Sequence, residues 1–237
     1  MPVSQTLKPE RASILVSVRD VAEARLALQA GADLIDAKDP ERGALGALPV
    51  ATVRAIVEAI AGRAVTSAVA GDGTGTDLVS AVAAMAQAGP RWIKIAVGVA
   101  HDDTLAEAAD AAPGRLIGVV FAEDALDLPD LPARLAAAGF SGAMIDTRGK
   151  HGIGLRDLLP APKLSAFIAA CRSCGLISGL AGSLRRADIP ALAGLGPDYL
   201  GFRGGLCRAD DRRQGLDEAR IAEAVAAVRV LRRADAA

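Results

Sequence analysis

Seven glycines stand at the same kind of place along this chain. Gly31, Gly62, Gly89, Gly114, Gly139, Gly175 and Gly196 each close a helix-like stretch, and each precedes a short apolar run. The runs are DLIDAK, AVTSAV, RWIKIAV, RLIGVVF, GAMID, LISGLAG and DYLGF. Glycine just past a helix end takes the left-handed backbone that residues with a Cβ resist. Each of the seven therefore marks a helix-to-strand junction, and the opening run SILVSV brings the expected strands to eight.

Between the runs lie segments with helical spacing, such as VAEARLALQA and DLVSAVAAMAQA. The last, LDEARIAEAVAAVRVLRRA, has acids early and arginines late, as a helix dipole favours. Apolar runs buried on both faces indicate a parallel sheet. Eight strand–helix units in 237 residues close naturally into a (β/α)₈ TIM barrel, with a doubly wound open sheet as the alternative. No Pro- or Ser-rich linker divides the chain, so the expectation is a polar tail over 1–11 and a single catalytic domain over 12–237.

Composition narrows the partners. Net charge is −1 with no acidic or basic block, which argues against nucleic acid and membrane surfaces. Neither a signal peptide core nor an apolar run of about 18 residues is present, and three cysteines suit a reducing compartment, so a cytoplasmic location is expected. Barrels of this size commonly self-associate, which makes a homo-oligomer the expected state.

Residues 35–47 read IDAKDPERGALGA, with Asp36 and Lys38 inside an otherwise apolar strand. Buried ions are costly, so their presence asks for a reason. The chain has 22 arginines and only five lysines. Lys8 falls in the tail and Lys163 opens a helix, but Lys38, Lys94 and Lys150 fall at or just beyond strands 2, 4 and 6. Barrel active sites gather at those strand ends. Strand alternation turns Asp36 and Lys38 inward together, with Ile35 and Ala37 toward the helices. Lys94 also faces inward, and Lys150 follows Asp146 in the loop leaving strand 6.

Lysine, unlike arginine, can be brought toward a neutral amine by desolvation and neighbouring cations, and a neutral amine forms Schiff bases with carbonyls. The plainer reading of Asp36 and Lys38 is an ion pair without chemistry. Three lysines and two aspartates at one rim favour the chemistry.

Strand 7 ends in GLAGSLRRADIP and strand 8 in GFRGGLCRADDR. Phosphate sites in barrels often form at these two loops. Gly182, Ser183, Gly204 and Gly205 would let backbone N–H groups approach an anion, and Arg203 would add a charged fork. Amine, carboxylates and phosphate anchor together describe imine chemistry on a small phosphorylated carbonyl compound.

Other features carry less. Cys171 and Cys174 have a CxxC spacing without a second pair and read as core, and Cys207 as a loop thiol near the site. The GDGTGTD stretch at 71–77 lacks the lysine of a P-loop and reads as a strand exit, with Thr76 or Asp77 capping the next helix. His101 reads as a helix-start residue and His151 as a solvated loop histidine. With two histidines and no clustered acids, no metal is expected.

GADLIDAKDPERGALGA, WIKIAVG, MIDTRGK, GLAGSLRRADIP and GFRGGLCRADDR resemble the (5-formylfuran-3-yl)methyl phosphate synthases of methanofuran biosynthesis. The likeness spans nearly the whole chain. It implies a (β/α)₈ lyase that joins two glyceraldehyde 3-phosphates with loss of phosphate and water, without metal or organic cofactor. It places the Schiff-base lysine at Lys38, the acid beside it at Asp36, the second strand lysine at Lys94, and the strand 6 pair at Asp146 and Lys150. The product would lead to methanofuran or a bacterial analogue. Two rivals are an imine-forming aldolase and a barrel that binds phosphorylated ligands without catalysis.

Overall fold

The computed structural model describes residues 12–98, 100–124, 130–148 and 153–234. Eight parallel strands close into one barrel in sequence order. They are β1 (Ser13–Val18), β2 (Leu34–Ala37), β3 (Val65–Gly71), β4 (Trp92–Ala96), β5 (Leu116–Phe121), β6 (Gly142–Asp146), β7 (Ile177–Leu180) and β8 (Tyr199–Phe202). Around them run α1 (Val21–Gln29), α2 (Val50–Ile60), α3 (Gly75–Ala86), α4 (Asp102–Ala111), α5 (Leu131–Ala137), the short α6 (Leu155–Leu158), α7 (Ala161–Ser173), α8 (Ile189–Ala193) and α9 (Glu218–Ala234). Every expected strand forms, and all seven junction glycines have positive φ. Closure excludes the open-sheet alternative.

Two apolar cores follow from strand alternation. Ile14, Val16, Ile35, Ala37, Ile93, Ile95 and Ile145 face outward and pack under the helices. Leu15, Leu34, Val65, Trp92, Ile117, Val119, Met144 and Tyr199 fill the interior. The Tyr199 ring is buried in the interior cluster. It crosses β7 at Gly179, where an added Cβ would sit 2.2 Å from its Cζ, so only glycine fits there. The Tyr199 hydroxyl donates to Met144 Sδ at 3.3 Å.

One local expectation needs correction. Helix α3 begins earlier than expected: Thr74, rather than Thr76 or Asp77, is its N-cap, without a side-chain hydrogen bond, and Thr76 and Asp77 lie in the first turn. His101 does stand at the N-cap of α4.

Candidate active site

The lower level of the site is built by strand register. Asp36 on β2 lies beside Ser17 on β1 and Ser67 on β3. Both hydroxyls donate to its carboxylate, Ser17 Oγ to Oδ2 at 3.1 Å and Ser67 Oγ to Oδ1 at 2.6 Å. Lys94 Nζ, from β4, reaches Asp36 Oδ2 at 2.6 Å. Asp36 has no exposed surface. Burial pushes its carboxyl up, but Lys94, Lys38 and the hydrogen bonds together outweigh burial and hold it below the usual value. The pair is therefore a fixed, closed ion pair. The two serines were not singled out in the sequence, although SILVSV and AVTSAV place both at inward positions next to strand 2.

The upper level is looser. Lys38 follows β2 directly, and its backbone N–H still bonds the Val18 carbonyl at 3.0 Å, so the strand's alternation carries through to it. Its ammonium stands 3.8 Å from Asp146 Oδ2, and 11% of its side chain is exposed against 4% for Lys94. The plain Asp36–Lys38 pair is thus not what forms; Lys94 takes Asp36 and Lys38 takes Asp146. Burial is the chief cause that lowers the Lys38 pKa. Lys94 and Arg212 lower it further, while Asp146 and Asp36 oppose them. Asp146 Oδ1 accepts from the Thr147 N–H at 2.8 Å, which fixes the carboxylate's orientation.

Lys38, Lys94, Asp146 and Thr147 line a cleft of about 650 Å³. That falls within the ~300–1,000 Å³ usual for small-molecule sites. The same cleft is lined by Gly182, Ser183, Gly204 and Gly205. Gly182 has φ +110°, and a Cβ there would sit 2.5 Å from Thr147 Cγ2. Ser183 is left-handed at φ 48°. At Gly205 a Cβ would meet the Leu184 carbonyl at 2.5 Å, so the two loops touch through that glycine. Among the described residues, the N–H groups of Gly182, Ser183, Gly204 and Gly205 donate to no protein acceptor. The exposed Arg185 lines the same wall.

Arg203 departs from its expected place as a phosphate fork. It is buried and paired with Glu23 of α1 through both terminal nitrogens. It also donates to the carbonyls of Ser17, Arg212 and Gln214 at 3.1, 3.0 and 3.2 Å. Those contacts occupy all five N–H groups of a guanidinium. Arg203 borders the cleft but spends its N–H groups bracing the loop between β8 and α9, and Arg212 of that loop, not singled out in the sequence, lines the cleft as well.

Lys150 and His151 lie outside the described residues, as does the tail over 1–11. Cys171 is buried in α7 with its thiol pushed up to about 12, chiefly by burial, which fits a packing role. Cys207 is buried and donates to the Arg203 carbonyl at 3.2 Å. Among the described residues, no group of three or more His, Cys, Asp or Glu could hold a metal, and no helix is long and apolar enough to cross a membrane.

The family model for 4-HFC-P synthase matches residues 14–225. The chain is 66% identical over 232 residues to "Putative (5-formylfuran-3-yl)methyl phosphate synthase" of Methylorubrum extorquens, covering 98% of both. It is 32% identical over 239 residues to (5-formylfuran-3-yl)methyl phosphate synthase of Methanopyrus kandleri, covering 91% of this chain and all of that one. It is 34% identical to the Methanosarcina acetivorans protein of the same name, over 89% of this chain and 98% of that one. Among solved structures it is similar to 3-hexulose-6-phosphate synthase, with a TM-score of 0.68 at 18% identity over 91% of this chain and 99% of that one. It is also similar to phosphoribosyl anthranilate isomerase from Thermus thermophilus, with a TM-score of 0.63 at 17% identity over 92% of this chain and 99% of that one. At these identities the two structures bear on the fold alone.

Proposed function

This chain belongs to the 4-HFC-P synthase family, and from that premise we propose that it condenses two glyceraldehyde 3-phosphates through a Schiff base on Lys38. Phosphate and water leave, and the product is (5-formylfuran-3-yl)methyl phosphate, a precursor of methanofuran or a bacterial analogue. The observation that carries this reading is the state of Lys38. It is a lysine whose pKa burial lowers, at a barrel mouth, facing a cleft beside a carboxylate.

The roles follow from depth. One triose rests its phosphate on the N–H groups of Gly182, Ser183, Gly204 and Gly205. The Lys38 amine adds to its carbonyl carbon, and the carbinolamine loses water to give the imine. The protonated imine nitrogen takes up the electron pair when a neighbouring C–H gives its proton to a base. Asp146 is that base, because it faces the cleft 3.8 Å from Lys38 Nζ. Asp36 was expected to share this work, but it is enclosed by three donors and held ionised. Its part is to hold the Lys94 side chain in place through their 2.6 Å contact. The resulting carbon nucleophile attacks the second triose, loss of phosphate and water closes an aromatic ring, and the C–N bond to Lys38 breaks to return the amine and free the product.

Glyceraldehyde 3-phosphate with borohydride, followed by intact mass and peptide mapping, tests the proposal. The expected result is a reduced triose-phosphate adduct on Lys38, with inorganic phosphate released during turnover. Lys38→Arg should form neither adduct nor product, since a guanidinium is not a nucleophile at these pH values. Near-normal turnover by Lys38→Arg would end this reading. An imine aldolase would give the adduct without releasing phosphate.

A further inference from the structure

Arg212 brings to the cleft a guanidinium that the protein itself barely uses. Its loop is turned back over the barrel mouth by two consecutive non-glycine residues in left-handed conformation, Ala209 (φ 53°) and Asp210 (φ 55°). Such backbone is disfavoured for residues with a Cβ and persists only where the surroundings hold it. Arg203 supplies part of that hold through the Arg212 and Gln214 carbonyls. The two arginines are opposites. Arg203 has every side-chain N–H engaged, whereas among the described residues the Arg212 guanidinium makes one hydrogen bond, from Nη2 to the Gly43 carbonyl at 3.0 Å.

Arg212 Nε is buried and has no partner among the described residues. A buried donor left unmet asks for an explanation. Of the acids nearby, Asp210 pairs with Arg220, Asp211 with Arg213, and Asp146 with Lys38 and the Thr147 N–H, while Asp39 accepts from the Glu41 N–H and acts on Arg212 only through its charge. Burial also weighs against charge on Arg212, with Asp146 the main opposing influence. A planar guanidinium with an unmet Nε–H suits an acceptor such as a phosphate, whose oxygens can take two parallel N–H bonds.

We infer that Arg212 is a second anion anchor of the cleft, binding a phosphate monoester apart from the one held by the backbone of the β7 and β8 loops. Its Cβ lies near Gly204, but its bond to Gly43, in the loop after β2, carries the guanidinium from the β8 loop toward the β2 side of the cleft. The inference rests on the synthase reading for the identity of the ligand: the two anchors would hold the phosphates of the two trioses.

Titration calorimetry with inorganic phosphate tests the anchor without any catalysis. The wild-type protein is expected to bind two phosphates and Arg212→Gln one, the lost site weakening about 10- to 100-fold. In parallel, Arg212→Gln should still form the borohydride-trapped adduct on Lys38 but need correspondingly more glyceraldehyde 3-phosphate for turnover. Two phosphates bound by Arg212→Gln at wild-type affinity would overturn the inference, as would a wild-type protein that binds a single phosphate which Arg212→Gln keeps. Should Arg212→Gln not fold, Arg212→Lys decides. It keeps the charge without the fork, so about tenfold weaker binding supports the anchor and unchanged binding refutes it. If no variant forms an adduct on Lys38, the synthase reading fails while the phosphate stoichiometry still decides Arg212.

Discussion

Replacing Lys94 by methionine should make the protein's acid stability run backwards. In the wild type Asp36 sits below its usual pKa of 3.8. Its contribution is complete above 3.8 and is lost only as pH falls through the folded value. Lys94→Met removes the ammonium 2.6 Å away and leaves a carboxylate with no exposed surface and two serine donors. Burial, already the largest influence on Asp36, then prevails, and its folded pKa rises above 3.8. Breaking one side of a buried ion pair costs about 3–5 kcal/mol, so that much should be missing at pH 7. As pH falls, the folded variant binds a proton that the unfolded chain does not yet bind. The deficit should therefore shrink by up to ~1.4 kcal/mol per pH unit between the raised pKa and 3.8. Urea unfolding of both proteins from pH 7 to pH 4 reads this directly. The double variant Asp36→Asn/Lys94→Met should be more stable at pH 7 than Lys94→Met alone. A deficit that stays constant with pH, or is below about 1 kcal/mol at pH 7, would refute the closed-pair argument.

Asp146→Asn should lower kcat by about 10²–10⁴-fold if Asp146 carries protons. It should also move the acid limb of kcat/KM to lower pH, because Asp146 is the main influence that opposes burial at Lys38; a limb that moves up would contradict the assigned electrostatics. Gly182→Ala puts a Cβ against Thr147 at φ +110°. It should cost about 1–3 kcal/mol in unfolding experiments and remove one phosphate from the calorimetric titration. Wild-type values on both would show that this loop is not held as described.

The architecture was legible because its signals are local. A glycine after a helix and an apolar run after the glycine each need only a few residues, and all eight strands fell where the runs stood. Asp36, Lys38, Lys94 and Asp146 were legible as inward charges for the same reason. Their partners were not. Which carboxylate meets which lysine depends on the stagger between strands, and a pairing of Asp36 with Lys38 two residues on was the only one visible along the chain. The two arginines around strand 8 failed differently. GFRGGLCRADDR contains both Arg203 and Arg212, and position alone favours the one nearest the strand end. Glu23, 180 residues earlier in α1, takes that arginine, while Arg212 at the end of the stretch lines the cleft with its Nε unpartnered among the described residues.

The swap of partners matters for the chemistry. A nucleophilic lysine must pass between ammonium and amine, so the carboxylate beside it has to let go. At 2.6 Å, with hydroxyls ordering the carboxylate, Asp36 grips whichever lysine it meets. Had that been Lys38, the pair would hold the ammonium form and oppose attack on a carbonyl. The barrel's stagger gives the tight carboxylate to Lys94 and leaves Lys38 a partner at 3.8 Å on the cleft wall. Two lysines and two aspartates thus divide into one pair closed at 2.6 Å inside the barrel and one pair at 3.8 Å that borders the cleft.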